Sequence, residues 1–93
     1  MRRPAVVVTA QRLLDASPTV IQVVPLTTTV RGFGSEVLIE PSEANGLGRP
    51  STVQCQRIRA VSAGRVERVL GNMGSVALAQ IRETLGLIFD IPR

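Results

Sequence analysis

The chain has 93 residues, 44% of them hydrophobic, with a formal net charge of +4 and one cysteine. This length and hydrophobicity predict a single folded domain over residues 1–93 and exclude a disordered chain. The absence of histidine excludes a Ser-His or Cys-His catalytic arrangement within the chain, and a lone cysteine excludes an intrachain disulfide.

Four strands are predicted, the first because β-branched valines dominate it. The segments are residues 5–10, 20–27, 36–40 and 51–60. Pro25 indicates an edge or a bulge in the second strand, because proline cannot donate to a ladder. In the fourth strand, Val53 and Cys55 share one parity, whereas Ile58 and Ala60 share the other. A bulge near Cys55 would reconcile the two sets.

One helix is predicted at the end of the chain, over residues 75–87, with Ser75 as its N-cap. Its apolar stripe recurs at helical spacing and is interpreted as core packing: Leu78, Ile81, Leu85 and Ile88. The connecting segments are predicted to be loops and turns, at residues 11–18, 28–34 and 41–50. The first of them has a helical turn as one option. Residues 66–70 fit either a strand or a helix. Strands followed by one helix predict a mainly β fold, a small antiparallel barrel or curled sheet closed by the helix.

The positive charge is carried by arginine alone, since all 11 cationic residues are arginine. The guanidinium fork suits phosphate and carboxylate, so an anionic partner is favoured; the alternative is a general preference for arginine codons. No apolar run approaches the roughly 20 residues that span a bilayer, so no membrane association is expected. Together with Cys55, interpreted as a buried core thiol, this predicts a reducing, cytoplasmic setting.

The residue inventory also restricts the chemistry. Without histidine, lysine or tyrosine, the usual general bases near neutral pH are missing. No carboxylates or cysteines occur at ligand spacing, so neither a metal nor another cofactor is expected. One reaction fits this inventory, the cleavage of RNA by its own 2′-hydroxyl, because the substrate supplies the nucleophile. An arginine with a threonine hydroxyl could then align and stabilise the crowded phosphorane.

Several segments occur in the order and spacing of one known family. Residues 3–8 read Arg-Pro-Ala-Val-Val-Val, and residues 24–28 read Val-Pro-Leu-Thr-Thr, followed by Arg31-Gly32. The Ser-Glu-Val of 35–37, the glycine-containing loop around Gly46, the segment 51–61 and the terminal segment 71–87 complete the match. On these residues most of the chain resembles the MazF/PemK family of toxin endoribonucleases.

The resemblance implies an SH3-like β-barrel with a C-terminal helix and a symmetric homodimer. It implies metal-independent cleavage of single-stranded RNA at short motifs, leaving a cyclic phosphate, and a cognate antitoxin that binds through an acidic C-terminal segment. By position, Arg3 matches the family's catalytic arginine and Thr27 its catalytic threonine. Gln56 and Arg57 match an acidic–glutamine pair that contacts RNA. Family members carry a further strand and loop before the Arg-Pro motif, so this chain is expected to lack that segment.

Several of these residues have simpler readings. Arg3 could be a charged residue that flanks an apolar strand, and Thr27 could be an ordinary β-former, with Thr28 in a supporting role toward RNA. In the glycine-flanked loop, Arg31 and Phe33 could grip a phosphate and stack on a base. Alternatively, Phe33 could be a small core plug.

Three functions follow from the sequence. The leading one is a sequence-preferring endoribonuclease toxin. The second is a catalytically impaired, truncated member of the same family that dimerises and binds RNA or an antitoxin. The third, a gyrase-directed toxin on the same fold, is disfavoured because Arg3 and Thr27 are both present.

Overall fold

The computed structural model describes residues 4–66 and 69–91. Its regular elements follow in chain order: β1 (Ala5–Val7), α1 (Gln11–Leu14), β2 (Val20–Thr27), β3 (Glu36–Ile39), β4 (Ser51–Gln54), β5 (Arg59–Ser62) and α2 (Gly74–Ile88). Two 3₁₀ turns lie at Cys55–Arg57 and Ala63–Arg65. The predicted order of strands followed by one terminal helix is confirmed, and the optional helical turn after the first strand is α1.

β2 is the strand on which the sheet is built. It pairs with β1 along one edge and with β4 and β5 along the other, and β3 adds to the far side of β4. All these pairings are antiparallel. Between the described residues no ladder joins β1 to β3, so the sheet is open. The mainly β fold is confirmed, whereas closure into a barrel is not observed.

The predicted break in the fourth strand is the 3₁₀ turn at Cys55. Six residue steps separate Val53 from Arg59, whereas three separate their β2 partners, Leu26 and Val23. The turn absorbs the three extra residues, so the predicted fourth strand is in fact two strands, β4 and β5. The predicted exchange of parity is wrong, because Ala60 is exposed and Val61 is the more buried residue of β5. Pro25 lies opposite this turn, between the β4 and β5 ladders, where a missing N–H costs no hydrogen bond.

The first strand is shorter than predicted, because a side chain replaces its ladder. Thr9 Oγ1 donates a hydrogen bond to the side-chain oxygen Oε1 of Gln22 at 2.7 Å. The same hydroxyl accepts a hydrogen bond from the backbone N–H of Gln22 at 2.8 Å. Thr9 is therefore buried without belonging to β1. The third strand ends at Ile39 rather than at residue 40. The described part of 66–70 forms neither a strand nor a helix.

The core lies between the sheet and α2 and is entirely aliphatic apart from a thiol. Its buried members are Val6, Val24, Leu26, Val37, Ile39, Val53, Cys55, Ile81 and Leu85. Burial raises the pKa of the Cys55 thiol, in keeping with the predicted core role. Of the predicted helical stripe, Ile81 and Leu85 are buried and Leu78 packs against them, whereas Ile88 is 40% exposed. The stripe prediction is thus wrong at Ile88, the last residue of α2, which the rest of the fold does not cover.

The start of α2 also differs from the prediction. The helix begins at Gly74, so Ser75 lies inside its first turn and is not the N-cap. Asn72 Oδ1 instead accepts a hydrogen bond from the Gly74 amide at 3.0 Å. Gly74 has φ +79°, a conformation that glycine adopts without strain. The helix therefore begins at a turn closed by the Asn72 side chain and Gly74, and not at the serine cap that the sequence predicts.

Candidate functional site: a polar face on the sheet

Thr27 is the last residue of β2 and is half-buried. Its Oγ1 accepts a hydrogen bond from the Thr29 amide at 3.2 Å. Because the hydroxyl oxygen is engaged as an acceptor, its hydrogen remains able to donate to another group. Thr27 pairs directly with Thr52 of β4.

Thr27 belongs to a row of polar residues on one face of the sheet. Thr52 and Gln54 are two residues apart on β4 and so share a face. Across the ladders, Thr52 faces Thr27 and Gln54 faces Glu36. We call Thr27, Thr52, Gln54 and Glu36 the polar face. Strand and residue spacings place its ends, Thr27 and Glu36, roughly 10–12 Å apart.

Glu36, the first residue of β3, is the electrostatic centre of this face. Its side chain is only 1% exposed. Glu36 Oε2 accepts from the Arg31 guanidinium at 2.5 Å and from the Gln56 amide at 2.8 Å. The Arg31 guanidinium carbon also lies 4.6 Å from the centroid of the Phe33 ring, a cation–π distance. A carboxylate, a guanidinium, an amide and an aromatic ring are thereby brought together.

The pKa of Glu36 is the net result of opposing influences. Burial raises the pKa of this carboxyl, because charge is disfavoured away from water. Hydrogen bonds from Gln56 and Arg31, the charge of Arg31 and the facing amide of Gln54 lower it, and together they outweigh burial. The pKa of Glu36 therefore lies below its ordinary value of 4.5, and the group is ionised at neutral pH.

Two oxygens of the polar face are buried without a hydrogen-bond partner among residues 4–66 and 69–91: Glu36 Oε1 and Thr52 Oγ1. Buried polar atoms in folded proteins are nearly always paired, so unpaired ones commonly mark a functional site. Beside Glu36, a shallow groove of about 350 Å³ runs between β3 and α2. It is lined by Glu36, Val37, Leu38, Gln80, Glu83, Thr84 and Leu87.

The structure brings some of the predicted site residues together and leaves others apart. Arg31, Phe33 and Gln56 meet around Glu36, whereas Thr28 and Arg57 are exposed nearby in the chain without a described role in this cluster. Phe33 is 51% exposed, so its reading as a core plug is wrong. The prediction for Arg3 lies outside the described residues.

Sequence reasoning missed Glu36, Gln54 and Thr52. Glu36 lies in the Ser-Glu-Val segment that carries part of the family resemblance, but neither its residue type nor its spacing indicates a role in binding or catalysis. Gln54 and Thr52 were treated only as positions in a strand. Their common face becomes visible once the β2–β4 and β3–β4 registers are known.

Ionised Glu36 is expected to stabilise the fold in a pH-dependent way. Because its pKa is lowered on folding, the stabilisation is present above pH 4.5 and is lost as pH falls through the folded pKa. Urea unfolding across this range should show wild type losing its advantage over Glu36→Gln as the solution is acidified. Glu40→Gln, which removes an exposed carboxylate from the same region, is the control. A difference between wild type and Glu36→Gln that is the same at pH 7 and pH 3 would contradict this assignment.

Two further observations concern the described ranges, 4–66 and 69–91. They contain no group of three or more His, Cys, Asp or Glu side chains arranged to hold a metal ion. No helix within them has the length and apolar character to cross a bilayer.

Comparison with known proteins places this arrangement in a family. The profile of PemK-like, MazF-like toxins of type II toxin–antitoxin systems matches residues 1–89. Endoribonuclease MazF3 of Mycobacterium tuberculosis is 30% identical over 89 residues, covering 96% of this chain and 84% of the relative. Endoribonuclease MazF9 of the same organism is 33% identical over 96 residues, covering 97% and 80%. The solved structure of the Mycobacterium tuberculosis toxin MazF-mt6 superposes with a TM-score of 0.84 at 30% identity, covering 98% of this chain and 89% of that one. The chain therefore belongs to the PemK-like, MazF-like toxins of type II toxin–antitoxin systems.

Proposed function

We propose that this chain is a toxin endoribonuclease that cleaves single-stranded RNA at short motifs through attack by the RNA's own 2′-hydroxyl. The observation that carries the proposal is the polar face: a threonine hydroxyl whose hydrogen is free lies in one row with an amide and a carboxylate. Family membership and the endoribonuclease names of its relatives support the same activity.

Thr27 is assigned the role of orienting the scissile phosphate. Its oxygen accepts from the Thr29 amide, so its O–H is directed to donate to a non-bridging phosphate oxygen. The 2′-oxygen then attacks phosphorus as the bond to the 5′-oxygen breaks, giving a 2′,3′-cyclic phosphate and a 5′-hydroxyl. The proton released from the 2′-hydroxyl balances the proton that the leaving 5′-oxygen takes up.

Arg3 is assigned the stabilisation of the phosphorane charge. It is bonded to Pro4, whose carbonyl oxygen accepts a hydrogen bond from the Leu26 amide at 3.1 Å. Leu26 is the neighbour of Thr27, so Pro4, the residue that follows Arg3 in the sequence, lies at the end of β2 that carries the proposed phosphate site. Its high pKa makes arginine a poor base, which leaves it an electrostatic role.

Thr28, Arg31, Phe33, Gln56 and Arg57 are assigned to RNA contacts. Exposed Phe33 offers a stacking surface to a base, and Arg31 beside it carries a guanidinium that can turn toward phosphate. These residues belong to the loop 28–34 and to the 3₁₀ turn at Cys55–Arg57, and both segments adjoin the polar face. They would thus extend the binding surface beyond the bond that is cut.

The assembly is part of the same proposal. The chain is expected to form a homodimer, because a small aliphatic domain gains burial by association. Its arginine-rich surface suits the acidic C-terminal segment of a cognate antitoxin, in keeping with the family's place in toxin–antitoxin systems. Its RNA substrate would be met in the cytoplasm. The five antiparallel strands arranged around β2 and followed by one helix support a small SH3-like barrel as the fold.

The activity is tested by incubating the purified protein with a long single-stranded RNA. We expect fragments with cyclic-phosphate ends, unchanged cutting in EDTA, and no cutting where the nucleotide at the cleavage site is 2′-deoxy, because the nucleophile is then absent. Electrophoresis and end analysis of the fragments provide the measurement. Cleavage of the 2′-deoxy substrate would show that the mechanism is wrong, and binding without cleavage would favour the impaired binding module.

A further inference from the structure

The two oxygens of the Glu36 carboxylate are in unequal states. Oε2 accepts from Arg31 and Gln56, whereas Oε1 is buried without any hydrogen-bond partner. The side chain is 99% removed from solvent and is ionised. The facing amide of Gln54 lowers the pKa of the carboxyl, but no donor among the described residues makes a hydrogen bond of good geometry to Oε1. A carboxylate oxygen of this kind needs a donor.

The surroundings restrict what that donor can be. The neighbouring amides, Gln54 and Gln56, suit a planar polar ligand that both gives and receives hydrogen bonds. Arg31 already balances the charge of Glu36, so the site does not call for a cation. Exposed Phe33 lies against the Arg31 guanidinium, and its ring offers a surface for stacking. A nucleobase combines these properties.

Two partly or fully exposed side chains border the Glu36 carboxylate through its other oxygen, Oε2. Gln56 is exposed and Arg31 is 36% exposed, so both can rotate without disturbing the core. The groove between β3 and α2 opens beside Glu36, and its volume of about 350 Å³ lies at the small end of ligand sites. Its α2 wall adds the amide of Gln80 and the hydroxyl of Thr84.

We propose that Glu36 is a specificity-determining residue whose Oε1 accepts an N–H hydrogen bond from the exocyclic amino group of a nucleobase near the scissile phosphate. Adenine, cytosine and guanine carry such a group. Uracil does not, and its carbonyl oxygens would face the carboxylate. The proposal rests on the proposed ribonuclease function and names one position of the recognised motif at which uracil is rejected.

The first test sequences the cut ends of an RNA library with a randomised segment. Wild type should show one position at which uracil is cut at least roughly tenfold more slowly than an amino-bearing base, the discrimination expected of one good base contact. Glu36→Gln should lose preference at that position alone, and Glu40→Gln should keep the wild-type motif. An unchanged motif in folded Glu36→Gln overturns the proposal.

A second test avoids substitutions in the protein. Wild type is given oligonucleotides in which the base at that position lacks only its amino group: inosine for guanine, purine for adenine, or the 4-deamino analogue for cytosine. Cleavage should fall by roughly tenfold or more for the analogue of the preferred base. Equal rates for analogue and parent would overturn the assignment even if Glu36→Gln did not fold.

The two proposals fail in different ways. If wild type cuts no RNA, the ribonuclease function is wrong, while the base preference can still be measured by recovering the library members that bind. If Glu36→Gln binds uracil-containing library members as well as the others, the role of Glu36 is supported. If the variant still discriminates against uracil, that role is refuted. If instead Glu36→Gln changes only the binding of an arginine-rich peptide, the groove accepts a partner protein's basic side chain and the base assignment is wrong.

Discussion

Replacing Arg3 with alanine is expected to slow RNA cleavage by roughly 10²-fold or more, as does the removal of one oxyanion-stabilising donor elsewhere. The reason is that the phosphorane concentrates negative charge on oxygens that the guanidinium fork would bind. Arg3→Lys should recover only part of the rate, because a point charge cannot reproduce bidentate geometry. Single-turnover cleavage of a defined oligonucleotide measures the chemical step directly.

Thr27 supplies the comparison within the same site. Thr27→Ala should also lose activity, whereas Thr27→Ser should keep it, because serine retains a hydroxyl that can donate to phosphate. Arg12, an exposed arginine on α1, is the charge-matched control, and Arg12→Ala should cleave at the wild-type rate. If Arg3→Ala cleaves as fast as wild type, charge stabilisation by Arg3 is wrong. If both Arg3→Ala and Arg12→Ala slow cleavage equally, the effect belongs to net charge.

Gly71→Ala is expected to have the largest effect on stability. A Cβ at this position would lie 2.1 Å from the carbonyl oxygen of Ala44 and 2.9 Å from the carbonyl carbon of Asn45. Both are backbone atoms, so a side-chain rotation cannot relieve the clash. The Asn72 amide also donates to the Ala44 carbonyl at 2.8 Å, and moving the segments apart would break that bond.

The cost should reach about 1–3 kcal/mol or more, the range for inserting a methyl group into a well-packed region. Urea unfolding measures it. Gly86→Ala is the matched control, since a Cβ at Gly86 meets nothing within 4 Å and lies within α2. That variant should be neutral or up to about 1 kcal/mol more stable, because alanine favours helix over glycine. Equal stability of Gly71→Ala and wild type would show that the 44–45 and 71–72 segments do not pack this closely.

The loop on the other side of this contact is held by hydrogen bonds from its own side chains. Ser42 and Asn45 hydrogen-bond each other's backbone, with the Ser42 amide donating to Asn45 Oδ1 at 3.0 Å and the Asn45 amide to Ser42 Oγ at 3.1 Å. The Asn45 side-chain amide donates to the Glu40 carbonyl at 2.9 Å. The turn predicted for 41–50 is confirmed. The sequence alone does not show that this turn packs against residues 71–72, the segment before α2.

Local patterns were sufficient wherever a residue's environment depends on its near neighbours. The β2 bounds and the burial of Ile81 and Leu85 follow from strand composition and helical spacing. The limit is visible at Ser75, where a general preference predicted the cap and a nearby asparagine–glycine turn took its place. It is visible again at Ile88, because helical spacing alone does not reveal which positions the rest of the fold covers.

By itself, the sequence restricted the available chemistry and determined the order of elements and the family. Residue types decide which reactions are available, and strand and helix periods are local properties of the chain. Only the tertiary structure decided that Glu36 and Gln56 meet, 20 residues apart, or that Thr52 and Gln54 join Thr27 on one face. Alternation shows which residues of one strand share a side, but not which strand lies next to it. Cross-strand register depends on long-range packing of the whole core, and that packing left one oxygen of Glu36 without a partner.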